Sequence, residues 1–317
     1  MNRPSSFSGN FTLPSPLRIG WIGTGVMGAP MCEHLLRAGY ALTVYNRTPE
    51  KARAVVGKGA RWAVSPAALA AESDVVCTMV GFPDDVRALY LKPGGLLAHA
   101  RAGQVFVDFT TSEPTLASKL ASLAATKESF ALDAPVSGGD VGARNASLSI
   151  MVGGDFAVFE TLRPILSVFG KTLVRQGPAG CGQHAKLCNQ ITIAGTMIGV
   201  CEALLYAHRA GLDGETLLQS ICSGAAGCWT LEHLAPRMLQ RDFEAGFFVE
   251  HLIKDMSMAL DEANRMGLLL PGLTLVRKLY MAIQSHGHGR SGTHALLFAL
   301  EDLSPTFMTA DLSSRSL

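Results

Sequence analysis

Between residues 18 and 175 short apolar runs alternate with amphipathic stretches, and this alternation constrains the fold more than any other feature of the chain. The runs are 18–23, 41–46, 75–80, 104–109, 130–134, 148–152 and 173–175, rich in Val, Ile, Leu and Phe and apolar almost throughout. A strand wetted on one face alternates polar with apolar residues, whereas a strand buried on both faces does not. Helical periodicity fills segments such as 28–38 and 114–125. The alternation predicts an α/β fold with a doubly wound parallel sheet.

After Gly177-Pro178-Ala179-Gly180 the pattern changes. Residues 182–210 form one helical pattern without proline, stopping at Gly211. Helices of globular domains usually run about 8–20 residues, so this one is predicted to be the spine of a second domain. Residues 212–303 hold further helical stretches and no convincing strand, which predicts an all-α second domain. A chain of 317 residues is long enough for two cores. The predicted division is a tail over 1–17, an α/β domain over 18–180 and an all-α domain over 181–317.

Composition excludes several function classes. With 48% hydrophobic and 17% charged residues the chain is no disordered tail protein. Its net charge is +1 and its Lys and Arg are scattered, so neither a nucleic-acid partner nor a polybasic membrane patch is expected. No apolar run reaches the roughly 18 residues of a membrane span, and no membrane association is expected. The seven cysteines form no CxxC pair and suit a reducing compartment. Residues 1–17 are rich in Ser and Pro with one Arg and no acid; they read as a disordered tail, or else as the stub of an organelle-targeting leader. The expected location is cytoplasmic, with the mitochondrial matrix as the alternative. The terminal Arg315-Ser316-Leu317 is not a peroxisomal signal.

The first strand runs into Gly23-Thr24-Gly25-Val26-Met27-Gly28, a GxGxxG that opens a helix. Gly23 permits a tight turn, Gly25 lets backbone approach a pyrophosphate, and Gly28 lets helix and strand pack closely. The helix start supplies N–H donors for phosphate. A lone GxGxxG is weak in a chain with 33 glycines, but this one has the strand-turn-helix context the motif requires. It marks a Rossmann-type dinucleotide site. Where an NAD site usually places a carboxylate, this chain has Asn46, Arg47 and Thr48. An Arg can make bidentate, charge-assisted bonds to a 2′-phosphate that a carboxylate would repel. NADP(H) is therefore the preferred expectation and NAD(H) the other possibility; a solvated loop Arg is the plain alternative for Arg47.

Four stretches together resemble the β-hydroxyacid dehydrogenase family over roughly residues 18–303: IGWIGTGVMGAPM (19–31), DAPVSGGDVGA (133–143), GCGQHAKLCNQ (180–190) and HLIKDM (251–256). DFTTSEP (108–114) and KLCNQITIAGTM (186–197) are similar to the plant-type 3-hydroxyisobutyrate dehydrogenase-like branch. The family also includes tartronate semialdehyde reductases and glyoxylate/succinic semialdehyde reductases. The longer 6-phosphogluconate dehydrogenases share the fold but carry a His-Asn pair after the lysine, which is absent here.

The resemblance makes Lys186 the general acid/base that gives a proton to a carbonyl oxygen. Such a lysine works near neutral pH when burial or a neighbouring cation lowers its pKa from about 10.4. Taken alone, Lys186 reads as an ordinary exposed helix lysine, yet Ala185, Leu187 and Cys188 flank it and no acid lies within the adjoining turns. Asn189 and Gln190 lie three and four residues on, sharing its helix face, and are candidates for holding substrate. Many family members carry Asn at the second of these positions, so Gln190 bears on which substrate is taken.

Ser137-Gly138-Gly139 follows a strand and can gather N–H groups into an anion cradle; in the family this loop holds the substrate carboxylate, and a turn needing positive φ is the plain alternative. By the same resemblance Thr111 contacts cofactor near the nicotinamide, Val80 and Gly81 cover the adenosine ribose, and Lys254 closes over the nicotinamide end. Without it, Lys254 reads as an exposed helix lysine paired to Asp255. His286-Gly287-His288 has no partner at ligand spacing, so no metal is expected. Cys181 and His184 lack an orienting group for thiol catalysis, and Trp229, Phe243, Phe247 and Phe248 read as packing residues.

The sequence thus predicts a Rossmann-type domain joined by a long helix to a helical one, with the site in the cleft between. The expected activity is NADP(H)-preferring hydride transfer between nicotinamide and a small hydroxy acid or its carbonyl partner. Expected partners are a small carboxylate substrate and further copies of the chain, as homodimer or homotetramer. An imine reductase and an inactive dinucleotide-binding scaffold are the rival readings; both usually lack the lysine.

Overall fold

The structure, a computed structural model, describes residues 11–304. The chain forms two compact units, Met1–Lys186 and Leu187–Leu317.

Among the described residues the first unit is built on nine strands: β1 Arg18–Ile22, β2 Ala41–Tyr45, β3 Arg61–Trp62, β4 Val75–Thr78, β5 Val105–Asp108, β6 Phe130–Asp133, β7 Val136–Ser137, β8 Leu148–Gly153 and β9 Gly170–Gly177. Seven helices connect them: α1 Gly28–Arg37, α2 Arg53–Gly57, α3 Pro66–Glu72, α4 Pro83–Leu91, α5 Pro114–Ala125, α6 Gly139–Arg144 and α7 Phe156–Leu166. The sheet order is β3-β2-β1-β4-β5-β6-β8-β7, with β9 on β8. All pairs from β3 to β6 are parallel. The sheet is nevertheless mixed, because β8 runs antiparallel to β6 and β7. The doubly wound parallel core is as expected, and the antiparallel pairs are confined to one edge; β3 and β7, two residues each, were not foreseen.

β4 and β5 are wholly buried, as their unbroken apolar runs require. One face of the sheet carries Trp21, stacked on Phe109 at 5.4 Å with Phe169 edge-on. The other packs Leu69, Tyr90 and Phe106. Strand order reverses between β1 and β4, so the carboxyl ends of these strands flank a switch point, where open sheets bind ligands. Of the expected tail, Phe11, Leu13 and Leu17 lie against the core, and Phe11 meets Phe130 edge-on at 4.8 Å. Residues 1–10 lie outside the described residues.

A single helix, α8 Cys181–Arg209, starts in the first unit and continues as the first helix of the second. By length and composition alone it could cross a membrane, with a mean hydropathy of 1.4 in its most apolar window. Polar residues, Gln190, Thr192 and Thr196 among them, keep it from being the unbroken apolar run of a membrane span. Its Ala194, Met197, Cys201 and Leu204 belong to a buried core shared with α12 Val249–Arg265 and α13 Pro271–Ser285, through Leu252, Met256, Val276 and Tyr280. The remaining helices of the unit are α9 Gly214–Ile221, α10 Trp229–His233, α11 Ala235–Leu239 and α14 Leu296–Leu303. Among the described residues the unit holds no strand, only an isolated bridge between Phe248 and Gly292.

Candidate functional site

In the first unit the glycine turn sits at the carboxyl end of β1. Gly23 has φ +97°, and a Cβ there would meet the Met79 carbonyl oxygen at 2.1 Å, so only glycine fits. A Cβ on Gly28 would meet the Gly23 carbonyl oxygen at 2.0 Å; this is the close strand-helix approach the motif predicts. Gly25 faces open space, with no atom within 4 Å of a Cβ. Val26 is exposed, while Met27 packs partly on the core.

Helix α1 has no side-chain cap and no acid in its first turn. In that turn the Ala29 N–H donates to the Gly25 carbonyl at 3.0 Å and Pro30 has no N–H, so what the helix start offers an anion is chiefly its positive dipole end. Thr24 is buried, and its hydroxyl has no hydrogen-bond partner among the described residues. Such a group costs about 1–3 kcal/mol unless something satisfies it. Open space at Gly25, an uncapped helix start and an orphaned hydroxyl together fit a dinucleotide pyrophosphate.

The loops around this turn are tied to one another. The Thr24 N–H donates to Asn46 Oδ1 at 3.0 Å, and Asn46 Nδ2 donates to the Thr48 carbonyl at 2.8 Å. Arg47 is exposed, as a solvated loop arginine would be, with its guanidinium 2.9 Å from the Asp85 carboxylate. The Val80 N–H donates to Thr110 Oγ1 at 3.0 Å, which joins the loop carrying Val80 and Gly81 to the loop carrying Thr111. Asp108, at the end of β5, accepts from Thr78 Oγ1 at 2.8 Å and the Thr110 N–H at 3.1 Å. Burial pushes its carboxyl up to about 6, against the pull of those donors.

Asp133, ending β6, accepts from the N–H groups of Gly180 at 2.7 Å and Gln183 at 2.8 Å, and so anchors the start of α8. Burial raises its carboxyl pKa while the amides lower it. The Gln183 side chain, wholly buried, accepts from the Ser112 N–H at 2.9 Å and donates to the Thr110 carbonyl at 2.8 Å. One turn further along α8 is Lys186, only 7% exposed, which overturns its reading as an ordinary surface lysine. Ser137 is half-buried at the end of β7; Gly138 and Gly139 have φ of +126° and +62°, so the turn does need glycine. That requirement and an anion cradle are compatible.

In the second unit the sequence-assigned residues form one chain of contacts. Asn189 Nδ2 donates to Gln190 Oε1 at 2.7 Å, and Gln190 Nε2 donates to Asp255 Oδ2 at 2.6 Å. Lys254 Nζ lies 3.0 Å from Asp255 Oδ1. Lys254 is thus paired with Asp255, but with its side chain only 13% exposed. The longer amide of Gln190 reaches across to α12, so both ends of its side chain are engaged.

Sequence reasoning missed Asp108, Asp133 and Gln183, and gave Asp255 only as a partner for Lys254. All four fall within motifs quoted above, and the available signal was a polar residue embedded in an apolar strand end or helix turn. Trp229 departs from its expected packing role: it is 55% exposed and stacked on His233 at 4.6 Å. Phe243 and Phe247 do pack on the core. His288 stands 4.6 Å from the Phe298 ring, and among the described residues no cluster of His, Cys, Asp or Glu could hold a metal ion.

A glycine turn of this form at a sheet switch point defines the chain as a Rossmann-type dinucleotide-binding protein. The profile of the NAD binding domain of 6-phosphogluconate dehydrogenase matches residues 18–177, and that of the NAD-binding domain of NADP-dependent 3-hydroxyisobutyrate dehydrogenase matches residues 180–300. The chain belongs to the 3-hydroxyisobutyrate dehydrogenase-like family of NAD(P)-dependent oxidoreductases, whose members act on small hydroxy acids and semialdehydes.

Among its relatives is the probable 3-hydroxyisobutyrate dehydrogenase-like 1, mitochondrial, of Arabidopsis thaliana, 51% identical over 94% of this chain and 90% of the relative. An uncharacterized oxidoreductase of Bacillus subtilis is also 51% identical, over 88% of this chain and 96% of its own. The 3-hydroxyisobutyrate dehydrogenase of Mycobacterium tuberculosis, solved with L-serine, superposes with a TM-score of 0.82 at 32% identity, covering 90% of this chain and 99% of that one. Psf3, solved with NADP+ and 2-OPP, also gives 0.82, at 26% identity over 89% and 99%. An imine reductase from Pseudomonas sp. shares the fold alone, with a TM-score of 0.60 at 19% identity over 90% and 99%. Two further Arabidopsis relatives, 41% and 40% identical, are also named mitochondrial. With the first, they overturn the cytoplasmic location expected from sequence and favour its mitochondrial alternative.

Proposed function

We propose that the chain is an NADP(H)-preferring reductase or dehydrogenase for a small β-hydroxy acid and its semialdehyde or glyoxylate-like partner, with Lys186 as general acid/base. The observation that carries this reading is the burial of Lys186 on a helix whose first turn is anchored to the strand ends around the glycine turn. A lysine kept from water for no purpose would be costly.

The residues from Gly23 to Gly28, with Asn46, Arg47, Thr48, Val80, Gly81, Thr111 and Lys254, would hold the cofactor. When bound, the nicotinamide supplies or accepts the hydride at the carbon of the reacting group. The Lys186 ammonium gives its proton to the carbonyl oxygen in reduction, and the neutral amine takes the hydroxyl proton in oxidation. Charge at that oxygen is neutralised as it develops. Ser137, Gly138 and Gly139 hold the substrate carboxylate, and Asn189, steadied by Gln190, holds the reacting oxygen. Arg47 favours NADP(H), and Asp85 keeps its guanidinium beside the turn until a 2′-phosphate competes for it. We also propose a homodimer or homotetramer.

The test is oxidation of NADPH and NADH with tartronate semialdehyde, glyoxylate and succinic semialdehyde, and reduction of NADP+ and NAD+ with 3-hydroxyisobutyrate and L-serine, the last being the molecule solved with the Mycobacterium tuberculosis relative. One or more of these should turn over with NADPH favoured. Lys186→Ala should lower kcat by about 10²–10⁴-fold, the range for a lost acid/base, with NADPH still bound. Full activity in that variant, or no turnover of any substrate, overturns the assignment; a preference for NADH overturns the role of Arg47. Turnover of cyclic imines alone would favour the imine reductase reading, against which Lys186 already stands.

A further inference from the structure

We infer that Gln183 is a positioning residue: its buried side-chain amide is a splint fixing the Thr110–Ser112 loop to the first turn of α8, and so fixing Lys186 relative to that loop. The inference deepens the proposed reaction and rests on the role given there to Lys186 and Thr111.

The geometry is specific at both ends. The amide oxygen of Gln183 accepts from the Ser112 N–H at 2.9 Å, and its NH2 group donates to the Thr110 carbonyl at 2.8 Å. These two backbone groups flank Thr111, so the side chain closes around the one loop residue expected to contact cofactor. Gln183 is 0% exposed and Ser112 2%, so water does not compete for either bond. The opposite end of the splint is held as well. The Gln183 backbone N–H donates to Asp133 Oδ2 at 2.8 Å and that of Gly180 to Asp133 Oδ1 at 2.7 Å. Thr110 continues the chain of contacts, its hydroxyl accepting from the Val80 N–H and its own N–H donating to Asp108. The bonds therefore run unbroken from β4 through β5 and the loop to the helix start and β6.

From Gln183 to Lys186 is three residues, about 4.5 Å of rise and nearly one full turn. Side chains at that spacing share a helix face, so a shift at Gln183 is carried to the lysine with little loss. All of these groups lie within the first unit. An acid/base misplaced by about 1 Å can lose on the order of 10²-fold in rate, and this is the error the splint prevents. A glutamine whose only task was to satisfy two buried backbone groups would affect folding stability and leave turnover per folded molecule unchanged.

Hydrogen–deuterium exchange of the full-length chain tests the splint without any variant. The Ser112 amide should exchange as slowly as amides in the first turns of α8, and exchange at the free-peptide rate overturns the inference. Gln183→Leu removes both bonds at similar volume. It should deprotect Ser112 while β4 and β5 stay protected, and lower kcat by about 10- to 100-fold, with the NADPH dissociation constant and substrate KM within about threefold of the parent. Gln183→Met serves if the leucine variant is unstable. A stable variant with full kcat overturns the positioning role even if its melting temperature falls. Slow Ser112 exchange together with no turnover by the parent would leave the splint standing and remove the proposed reaction, so the two failures are distinct.

Discussion

Asp108 shows how a single residue records the conflict between burial and function. It ends a wholly buried strand, and two donors aimed at one of its oxygens do not offset the loss of water, which leaves its carboxyl at about 6 against 3.8 for the free group. Below about pH 4 the group is protonated in both folded and unfolded chains. Between about 4 and 6 the unfolded chain ionises while the folded chain keeps its proton, so stability falls as pH rises, and the penalty is complete above 6. A rise from 3.8 to about 6 corresponds to about 3 kcal/mol. In Asp108→Asn the amide oxygen can still accept from Thr78 and Thr110, so the hydrogen bonds survive and the titration is lost. Urea titrations from pH 4 to 7 should show the variant gaining on the parent by up to about 3 kcal/mol, most of it by pH 6; a constant difference across that range would contradict the burial account. The Asp133 charge adds a smaller like-charge repulsion to the burial of Asp108, and the substitution removes both together. Residues of this kind were the least legible from sequence. The glycines stood out because their spacing matches known chemistry, and Lys186 stood out through the family resemblance, with Asn189 on its helix face. Asp108, Asp133, Gln183 and Asp255 matter through partners far away in the chain, and no local pattern records a contact between positions 133 and 183.

At the scale of elements, the turn from β1 into α1 separates packing from binding. Gly28 is fixed by contact with Gly23, whereas a Cβ on Gly25 would meet no atom within 4 Å. Gly25→Ala should therefore leave the melting temperature within about 1–2 °C of the parent, as expected of a surface change within about 0.5 kcal/mol. Its added methyl would lie where a pyrophosphate must approach, so NADPH affinity should fall by at least about tenfold, roughly 1.4 kcal/mol. Calorimetric unfolding and fluorescence titration read the two effects separately. Unchanged affinity would mean that phosphate does not pass this glycine. Strands whose burial is complete were readable to within a residue or two, since an unbroken apolar run is its own signal. β3 was not, because its two residues are both exposed, and β9 extends on both sides of its apolar centre with alternating exposure. The antiparallel pairing of β8 left no trace at all. Strand direction is decided by connection and register, and neither changes the period of side chains along a strand.

For the whole molecule, α8 raises a question that a single chain does not answer. Its most apolar window has a mean hydropathy of 1.4, yet only 39% of that window is buried. The exposed positions include Cys188, Thr192, Gly195 and Gly199, spaced three and four apart and so lying along one stripe, and a Cβ on either glycine would meet no atom within 4 Å. Small residues along a stripe let two helices approach closely, and water gains from covering an apolar surface of this length. A symmetric second copy satisfies both conditions with the same surface on each partner. A bilayer would satisfy the apolar condition but not explain why the opposite face of the same helix is built into the core with α12 and α13. Light scattering on the eluting protein should therefore give two or four times the chain mass of 33.6 kDa, without detergent. Gly195→Leu should shift that mass downward while NADPH binding, to which Gly195 is given no part, persists. A parent eluting only at the single-chain mass would remove the association. Recovery of the protein only with membranes would replace it with the bilayer reading that the hydropathy of α8 alone would suggest.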